Sequence, residues 1–417
     1  MRIAVVSDTH FGFKWNSERR EDCFRNSREA FKKAKEADAV LLPGDIFDTK
    51  TPSQEVFSRV FNLFEILDER REGVAELDDN RWDDERLPVI AIHGTHERRS
   101  KENVNPIELL EDAGLLLHLH NDSLKLVKGN EIVNIYGMSG VPERYASKVL
   151  KRWDPEPSEG FNILMLHQSI EGFVYTDDIA KGISMSDIPD GFDYVINGHI
   201  HWKNLKYAER EPSIILPGST ITTQIRKKEV ENSKGILFID TETGEISFEE
   251  INSSREAFRK EIDVTGLEGR EIVDEAVEKV EELASDFERK PLVRIILTGK
   301  TDASFSKKEI RDKVDNAIIS IGEDLEKTDE DIEKIDPGQD IDEMGLSIME
   351  EGFGFQGLEE MFEKLVNGDV EDILEDFEEK DLEDVEEFVQ TTEDEEDGGE
   401  EQTDQKKNQG SNVMDYF

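Results

Sequence analysis

The sequence predicts an α/β layered sandwich, followed by a small α+β domain and an acidic C-terminal tail. Three observations predict this organisation. Short apolar runs alternate with amphipathic stretches up to about residue 250, a pattern typical of strands and helices packed in layers. A second alternation of strand and helix patterns follows between residues 259 and 325. Residues 391–411 contain almost no apolar side chains, so this stretch cannot bury a core and should be disordered.

The elements of the first region follow from hydrophobic periodicity. Helical spacing predicts helices over 19–37 and 53–67, with Phe24 and Phe31 on one face of the first. Cys23 lies among those apolar positions, so we expect a buried structural thiol. Residues 68–86 are rich in Asp, Glu and Arg and indicate a solvated loop or helix extension. Apolar runs predict strands over 3–7, 39–42, 89–92, 132–136, 162–166, 194–196, 214–216, 236–239 and 246–249.

Later segments divide the rest of the chain. Strands over 261–264 and 293–298 alternate with helices over 270–287 and 307–320 and form the predicted α+β domain. The predicted divisions are 1–255 for the α/β domain, 256–325 for the α+β domain, 326–356 for an acidic linker, 357–390 for amphipathic helices and 391–417 for the tail. Helices as short as those in 357–390 are marginal alone in water, so we expect them to bind a partner.

The composition is acidic along the whole chain. Lys and Arg total 51 against 99 Asp and Glu, which gives a formal net charge of −48, and hydrophobic and charged residues each make up 36%. This favours a halophile-like protein in molar salt, where a Debye length of ~3 Å screens self-repulsion. The alternative is a protein that repels polyanions, nucleic acids included. Net charge alone does not decide between them, because a local basic strip can work within an acidic surface.

The chain shows no pattern of a membrane or secreted protein. Its mean hydropathy is −0.62, and no apolar run approaches the roughly 18 residues that cross a bilayer. The N-terminus is a short β-type run without the apolar core of a signal peptide. We therefore expect a cytoplasmic protein without a membrane partner.

Acids and histidines follow directly after five of the predicted strands. Because ligands bind at the carboxyl ends of strands in open α/β sheets, these groups should converge in one crevice. Carboxylate and imidazole ligands without thiolate suit a divalent ion such as Mn²⁺, and glycine beside an acid or histidine allows close backbone approach. The segments are Asp8-Thr9-His10, Gly44-Asp45-Ile46-Phe47-Asp48, Gly94-Thr95-His96-Glu97, His167-Gln168 and Gly198-His199-Ile200-His201.

In this order the motifs D-x-H, G-D, G-x-H-E, H and G-H-x-H resemble those of the calcineurin-like binuclear metallophosphoesterases. Together with Leu216-Pro217-Gly218-Ser219-Thr220, they are similar to the Mre-eleven (SbcD-like) family of DNA double-strand-break repair nucleases. The resemblance covers the first 250 residues. It implies a four-layer αββα metallophosphoesterase sandwich, a capping domain that contacts DNA, 3′ to 5′ exonuclease and single-strand endonuclease activity, a homodimer and a Rad-fifty-type ATPase partner.

The resemblance also implies roles for individual residues. Asp8, His10 and His201 would hold one Mn²⁺, His167 and His199 would hold a second, and Asp45 would bridge both. Two ions side by side can activate a nucleophile and stabilise the leaving oxygen of a phosphodiester. His96 would act as general acid or stabilise charge on the departing 3′ oxygen, as suits an imidazole.

Two positions depart from the family pattern. Thr95 stands where an Asn ligand is usual, which puts the second metal site in question. Asp48 stands where several members have His, and we expect it in the outer shell at best. We expect His93 to be structural or to support a ligand, and His118 and His120, which alternate with leucines, to lie at a surface or strand edge.

Several contacts with macromolecules are also predicted. Phe57, Phe61 and Phe64 in helix 53–67 provide a surface for a homodimer. Basic residues near the motifs, expected to contact phosphates of DNA ends and single strands, are Arg98, Arg99, Lys101, Arg226, Lys227 and Lys228. Residues expected to bind the ATPase are Leu358, Phe362, Leu365, Ile373 and Phe377, and Val413, Tyr416 and Phe417 resemble a sliding-clamp peptide that has Gly410 in place of its usual Gln.

Two alternative functions remain open at this stage. One is a phosphoesterase acting on a small substrate such as a cyclic nucleotide, which would need neither a capping domain nor helices for a partner. The other is a scaffold for the ATPase whose nuclease centre has lapsed. The Thr95 substitution is the only feature of the sequence that favours the scaffold.

Overall fold

The fold was analysed in a computed structural model that describes residues 1–68, 73–78, 81–82, 86–98, 104–173, 182–205 and 213–326. The strands in this part of the chain are β1 Arg2–Val5, β2 Ala39–Pro43, β3 Glu76–Leu77, β4 Val89–Ile92, β5 Leu117–His118, β6 Asp122–Lys128, β7 Glu131–Met138, β8 Phe161–Leu166, β9 Tyr194–Asn197, β10 Ser213–Ile215, β11 Gly235–Asp240, β12 Glu245–Glu250, β13 Ala257–Asp263, β14 Leu292–Gly299 and β15 Ile318–Leu325. The helices are α1 Asp22–Ala34, α2 Gln54–Phe64, α3 Pro106–Asp112, α4 Glu143–Trp153, α5 Lys227–Val230, α6 Gly269–Ala284 and α7 Lys307–Lys313, with a 3₁₀ turn at Met185–Asp187. None of these helices is long and apolar enough to cross a membrane.

Two six-stranded mixed sheets form the larger part of the fold. The first has the strand order β12-β11-β1-β2-β4-β5, and the second has the order β10-β9-β8-β7-β6-β3. In the first sheet β1, β2, β4 and β5 are parallel. In the second sheet β7, β8, β9 and β10 are parallel. Each sheet therefore has a parallel centre whose carboxyl ends meet at one edge, where sites are commonly built.

Alternation along the strands separates the layers. In β8, Ile163 and Met165 point into the core that the two sheets share. Leu164 and Leu166 point the other way and pack with the α4 side of the second sheet. Helices α1 and α2 join the shared core through residues such as Phe31 and contact each other there. The predicted four-layer αββα sandwich is confirmed.

Residues 257–325 form a separate three-stranded parallel sheet with the order β13-β14-β15. Val293 and Leu297 of β14 pack with helices α6 and α7. The predicted helix 307–320 is wrong beyond Lys313, because the isoleucine-rich segment that follows pairs with β14, with Ile318 opposite Leu292. Branched side chains pack well on a pleated surface, so this segment forms a strand of the sheet and does not extend the helix.

The insert 68–86 is less solvated than its composition predicts. Among its described residues, Val74, Ala75, Leu77 and Trp82 are buried in the main core. Strand β3 within it pairs with β6 at the edge of the second sheet. Charged residues separate these apolar positions in the sequence, so the hydrophobic pattern did not indicate that they are buried.

Candidate metal centre

The predicted ligands lie in loops that leave the central strands with unusual backbone geometry. Asp8, His10, Asp45 and His199 all have positive φ, between 44° and 72°. This left-handed region is uncommon for residues with a side chain and persists where surrounding contacts fix it. Neighbouring loops supply such contacts, since the backbone N–H of His10 donates to the carbonyl of Asp45 at 3.0 Å. The strained backbone therefore coincides with the predicted site.

Glycines allow these loops to approach each other closely. A Cβ on Gly94 would lie 2.0 Å from Oδ1 of Asp45, and a Cβ on Gly44 would lie 2.3 Å from Nδ1 of His167. Both distances are far below van der Waals contact, so only glycine fits. Glycine at these positions therefore lets the loops pack directly against the predicted ligands.

Asp8, His10 and His201 form the first ligand group, and all three are buried. Nε2 of His10 and Nε2 of His201 lie 3.1 Å apart, and Nε2 of His201 lies 3.8 Å from Oδ1 of Asp8. The Nδ1 atoms of the two histidines face other acceptors, a carboxylate oxygen of Asp48 and the hydroxyl of Thr223. With their protons on Nδ1, the two rings turn lone pairs toward each other, an arrangement that a cation between them would stabilise.

Asp45, His167 and His199 form the second group. Nε2 of His167 lies 3.1 Å from Oδ2 of Asp45, while its Nδ1 donates to the carbonyl of Pro43 at 2.8 Å. That hydrogen bond fixes the tautomer and leaves Nε2 available as a ligand. The donor sets of both groups are carboxylates and imidazoles, so they fit the divalent metal ions that the sequence predicts.

The charges within the two groups shift the pKa values of His167 and Asp45 in opposite directions. Burial alone would lower the pKa of His167, but the carboxylates of Asp45 and Asp8 outweigh it and raise that pKa to about 10. Burial would raise the pKa of Asp45, yet the neighbouring His167, His96 and His10 hold it well below its usual range. Asp45 is therefore a permanent anion at the centre of the predicted site, as a bridging ligand needs to be.

Asp48 contacts two of the predicted site residues. Its Oδ1 accepts from Nδ1 of His10 at 3.1 Å. Its backbone carbonyl accepts from Nδ1 of His96 at 2.8 Å. One residue therefore orients a predicted ligand and the predicted acid together, which is the usual work of a residue directly behind the ligands.

His96 is placed at the mouth of the site. Its side chain is 45% exposed, and its Nε2 lies 3.9 Å from Oδ2 of Asp45. Its ring stands edge-on to that of His10, with centroids 5.0 Å apart. Because Nδ1 donates to the carbonyl of Asp48, Nε2 is the ring nitrogen on the side of the Asp45 carboxylate.

Thr95 points its hydroxyl at Asp45. The Oγ1 atom donates to Oδ2 of that carboxylate at 3.5 Å, and the next backbone N–H, from His96, donates to Oδ1 at 3.0 Å. The loop that carries the usual Asn in the family thus contacts the predicted bridging carboxylate. Whether Thr95 also binds a metal stays a prediction.

Sequence reasoning assigned no role to Glu97, which is fully buried beneath the site. Its carboxylate accepts from the backbone N–H of Phe47 at 2.6 Å and of Gly94 at 2.7 Å. Burial and the charge of Asp45 raise the pKa of Glu97 to about 8. The carboxylate therefore links the loop that carries Asp45 to the loop that carries His96. The sequence signal that could have indicated this role is the position of Glu97 three residues after Gly94.

The remaining histidines form a cluster that the sequence did not predict. His118 lies in the edge strand β5, as expected, but it is half-buried and its Nε2 lies 3.0 Å from Nδ1 of His93. The ring of His120 stacks on that of His93 with centroids 5.2 Å apart. Burial lowers the pKa of His118 to about 4 and holds that of His93 well below its usual value. The expectation of an edge position is confirmed for His118, which lies in the last strand of the first sheet. Both His118 and His120 are half-buried, because their rings turn onto His93.

A cationic cleft of about 1180 Å³ lies beside the site, between loops of the first domain and the open face of the third sheet. Eight of its lining residues are Lys or Arg and two are Glu or Asp. Arg226 and Lys227, both predicted DNA contacts, are among them, and Thr223 of the same wall contacts His201. Arg259 and Arg294 are paired in register on the neighbouring strands β13 and β14.

The other predicted contacts are distributed differently. Arg98 is half-buried near Glu143, and Lys228 places its Nζ 4.6 Å from the ring centroid of Trp202. Phe61 of α2 is 38% exposed, but Phe64 is buried in the core and cannot serve a dimer surface. Predicted residues outside the described part of the chain are Arg99, Lys101, Leu358, Phe362, Leu365, Ile373, Phe377, Val413, Tyr416 and Phe417.

Comparison with known proteins agrees with this geometry. The family model for calcineurin-like phosphoesterases matches residues 1–203. The chain is 28% identical over 350 residues to the DNA double-strand break repair protein Mre11 of Sulfolobus acidocaldarius, covering 79% of this chain and 86% of that protein. It is 28% identical to Mre11 of Thermoplasma acidophilum, covering 75% and 81%. It is 24% identical to human MRE11, covering 70% and 50%. Residues 1–203 therefore match the calcineurin-like phosphoesterase family, and over most of its length the chain is similar to Mre11 proteins.

Proposed function

We propose that this protein is a DNA double-strand-break repair nuclease that hydrolyses DNA phosphodiesters with two Mn²⁺ ions. The observation that carries the proposal is the convergence of two buried ligand groups, Asp8 with His10 and His201 and Asp45 with His167 and His199, beside the exposed His96. The named Mre11 relatives support the biological role. They match the chain well beyond the phosphoesterase domain.

The cationic cleft supports a polynucleotide over a small phosphoester. The chain carries a net charge of −48, yet the cleft concentrates cations next to the metal centre. A phosphodiester backbone presents one charge per nucleotide and is recognised by such contacts without regard to sequence. A cyclic nucleotide has one phosphate and would use only a small part of this surface.

The residues around the centre have separate tasks in the proposed reaction. A bound pair of divalent ions supplies an activated water and neutralises charge on the phosphate. Asp48 and Thr223 orient His10 and His201, and the carbonyl of Pro43 orients His167. His96 donates its Nδ1 proton to the carbonyl of Asp48 in a hydrogen bond. Its Nε2 donates a proton to the departing 3′ oxygen.

The proposal also covers the type of nuclease activity, the roles of the two domains and the partners. We propose 3′ to 5′ exonuclease and single-strand endonuclease activity, with residues 1–255 as the nuclease domain and 256–325 as a DNA-contacting cap. We further propose a cytoplasmic homodimer that binds a Rad-fifty-type ATPase through residues 357–390, and the sliding clamp through the last five residues. The similarity to Mre11 proteins supports the ATPase and DNA as partners.

Substitution of His96 tests the proposal directly. His96→Ala should lower the Mn²⁺-dependent cleavage of an end-labelled oligonucleotide by roughly 10²- to 10⁴-fold, the usual contribution of a positioned acid or base. His96→Asn, which keeps a donor toward Asp48, should lose as much, because it cannot transfer the proton. Both variants should still bind two Mn²⁺ by calorimetry, whereas His10→Ala should lose one.

The alternatives give different results in the same assays. Wild-type protein that cleaves a cyclic nucleotide with a higher kcat/KM than DNA would indicate the small-substrate phosphoesterase. Wild-type protein that cleaves neither, yet binds the ATPase, would indicate the scaffold. Unchanged DNA cleavage in His96→Ala would contradict the role proposed for that residue.

A further inference from the structure

Asp22 is a buried carboxylate that three arginines share. It is the first residue of α1 and is 2% exposed. Its oxygens accept from Nε of Arg19 at 3.2 Å, from Nε of Arg255 at 2.8 Å and from a terminal nitrogen of Arg289 at 2.6 Å. A single carboxylate thus compensates three guanidinium groups that are largely removed from solvent.

The three arginines come from different parts of the fold. Arg19 precedes α1 in the phosphoesterase domain, Arg255 lies in the connection between β12 and β13, and Arg289 lies between α6 and β14 of the second domain. Arg289 also donates to the carbonyl of Ser253 at 2.7 Å, and Arg255 to that of Lys290 at 2.8 Å. Asp22 is therefore the point at which the two domains and their connection meet.

The same residues form part of the cationic cleft. Arg19 lines it and donates to the backbone carbonyl of Thr222, next to the wall that begins at Thr223. Lys290, adjacent to Arg289, lines the opposite side and pairs with Glu18 at 3.2 Å. The two sides of the cleft are thus joined through Asp22.

Without the carboxylate of Asp22, the three arginines at this junction would repel each other. Three guanidinium groups of like charge would remain close together in a poorly solvated place, and a buried charge left without its partner is strongly unfavourable. The second domain can relieve that repulsion by moving away, because its own core of α6, α7 and the third sheet is complete. Such a movement would separate the two sides of the cleft.

We propose that Asp22 is a positioning residue for the nuclease, a proposal that rests on the function proposed above. It holds the second domain in the position at which the cations of the cleft and the metal centre contact the same DNA strand. It touches neither the DNA nor the metal ions. Its loss should therefore weaken the reaction with DNA and leave the chemistry at the metal centre intact.

Two substrates of different size separate these effects. In full-length protein with Mn²⁺ at fixed salt, Asp22→Asn should raise the KM for a single-stranded oligonucleotide by about tenfold, the order of loss from misplaced contacts. The kcat/KM for bis(4-nitrophenyl) phosphate, which is too small to span the cleft, should stay within about twofold of wild type. Arg289→Gln leaves Asp22 in place but removes its contact with the second domain, at a more exposed residue outside the cleft lining. It should move KM in the same direction by a smaller factor, and it decides the matter if Asp22→Asn does not fold. Arg270→Gln on α6, whose side chain is 89% exposed, is the matched control and should change neither value.

A distance measurement tests the positioning itself. Spin labels on cysteines introduced at Lys148 in α4 and Glu281 in α6, both exposed, should give one narrow distance distribution in wild type and a broad one in Asp22→Asn and Arg289→Gln. The native Cys23 is buried and takes no label. Wild-type distances and wild-type KM in both variants would overturn the proposal, as would equal losses on both substrates. If wild-type protein cleaves the small diester but not DNA, the proposed function fails, and the label distances still decide the role of Asp22.

Discussion

Replacing Lys234 by Met removes a buried charge on which the backbone of a predicted ligand depends. Lys234 is 5% exposed, and its Nζ donates to the carbonyl of His201, to Oγ of Ser219 and to Oε1 of Glu229, each at 2.9 Å. Met has nearly the same length and shape, so the change removes the charge and its hydrogen bonds with little change in volume. The effect on stability therefore measures the electrostatic network.

The magnitude follows from the partner that remains. Glu229 is 3% exposed and would become a buried carboxylate without its cation, which costs about 3 to 5 kcal/mol. Glu229→Gln in the Met background removes that charge. Gln can still accept from only one of the two backbone N–H groups, of Thr223 and Gln224, that Glu229 binds. The double variant should thus lose about 1 to 3 kcal/mol, the cost of one unsatisfied buried group.

Urea unfolding at fixed salt, followed by tryptophan fluorescence, measures these free energies. Lys227→Met is the matched control, because its side chain is exposed on the neighbouring helix turn, and it should change the free energy of unfolding by less than about 0.5 kcal/mol. The double variant should be more stable than Lys234→Met alone. A loss below about 1 kcal/mol for Lys234→Met, or a double variant as unstable as the sum of its parts, would refute the reasoning.

Three further predictions concern the site and its surroundings. Gly94→Ala should abolish DNA cleavage and weaken Mn²⁺ binding in calorimetry, because its Cβ would lie 2.0 Å from Oδ1 of Asp45; normal binding would show that the loop adapts. Asp48→Ala should lower the affinity for one Mn²⁺ by roughly 10- to 100-fold, while Asp48→Asn, which keeps an acceptor for Nδ1 of His10, should lose less; equal affinities would remove Asp48 from this role. Burial raises the pKa of Cys23 to about 12, so the folded thiol should resist iodoacetamide at pH 8 and react only in urea. Rapid alkylation of native protein would contradict its burial.

The convergence of the predicted ligand residues was predictable because the parallel centres of the two sheets fix where strands end. Asp8, Asp45 and His167 directly follow β-type runs in the sequence, and parallel strands bring their carboxyl ends to one edge whatever the chain between them does. Glycine beside Asp45 and beside His199 added an independent signal of close packing. Local patterns therefore sufficed for the positions of the ligands.

The supporting residues were not predictable in the same way. Lys234 and Glu229 lie five residues apart in a stretch of ordinary charged composition, and Asp22 looks like one acid among many. Their roles depend on burial, which arises only when distant segments pack. Strand β15 shows the same limit, because residues 318–325 continue a helical pattern locally and pair as a strand only when β14 is beside them.

The charge of the site has a consequence for how substrate binds. His10 and His167, whose pKa values are raised to about 9 and about 10, partly balance the acids of the site, but the chain is acidic as a whole, so the surrounding surface sets an unfavourable potential for phosphate when no metal ion is bound. Two divalent ions would reverse that local potential, and the cations of the neighbouring cleft then continue the favourable field along the strand. Attraction toward DNA thus depends on the metal centre and the cleft together, and neither feature alone overcomes the charge of the surrounding surface. Under the proposed function, a polyanion should therefore bind only where the metal centre and the cleft can contact the same strand.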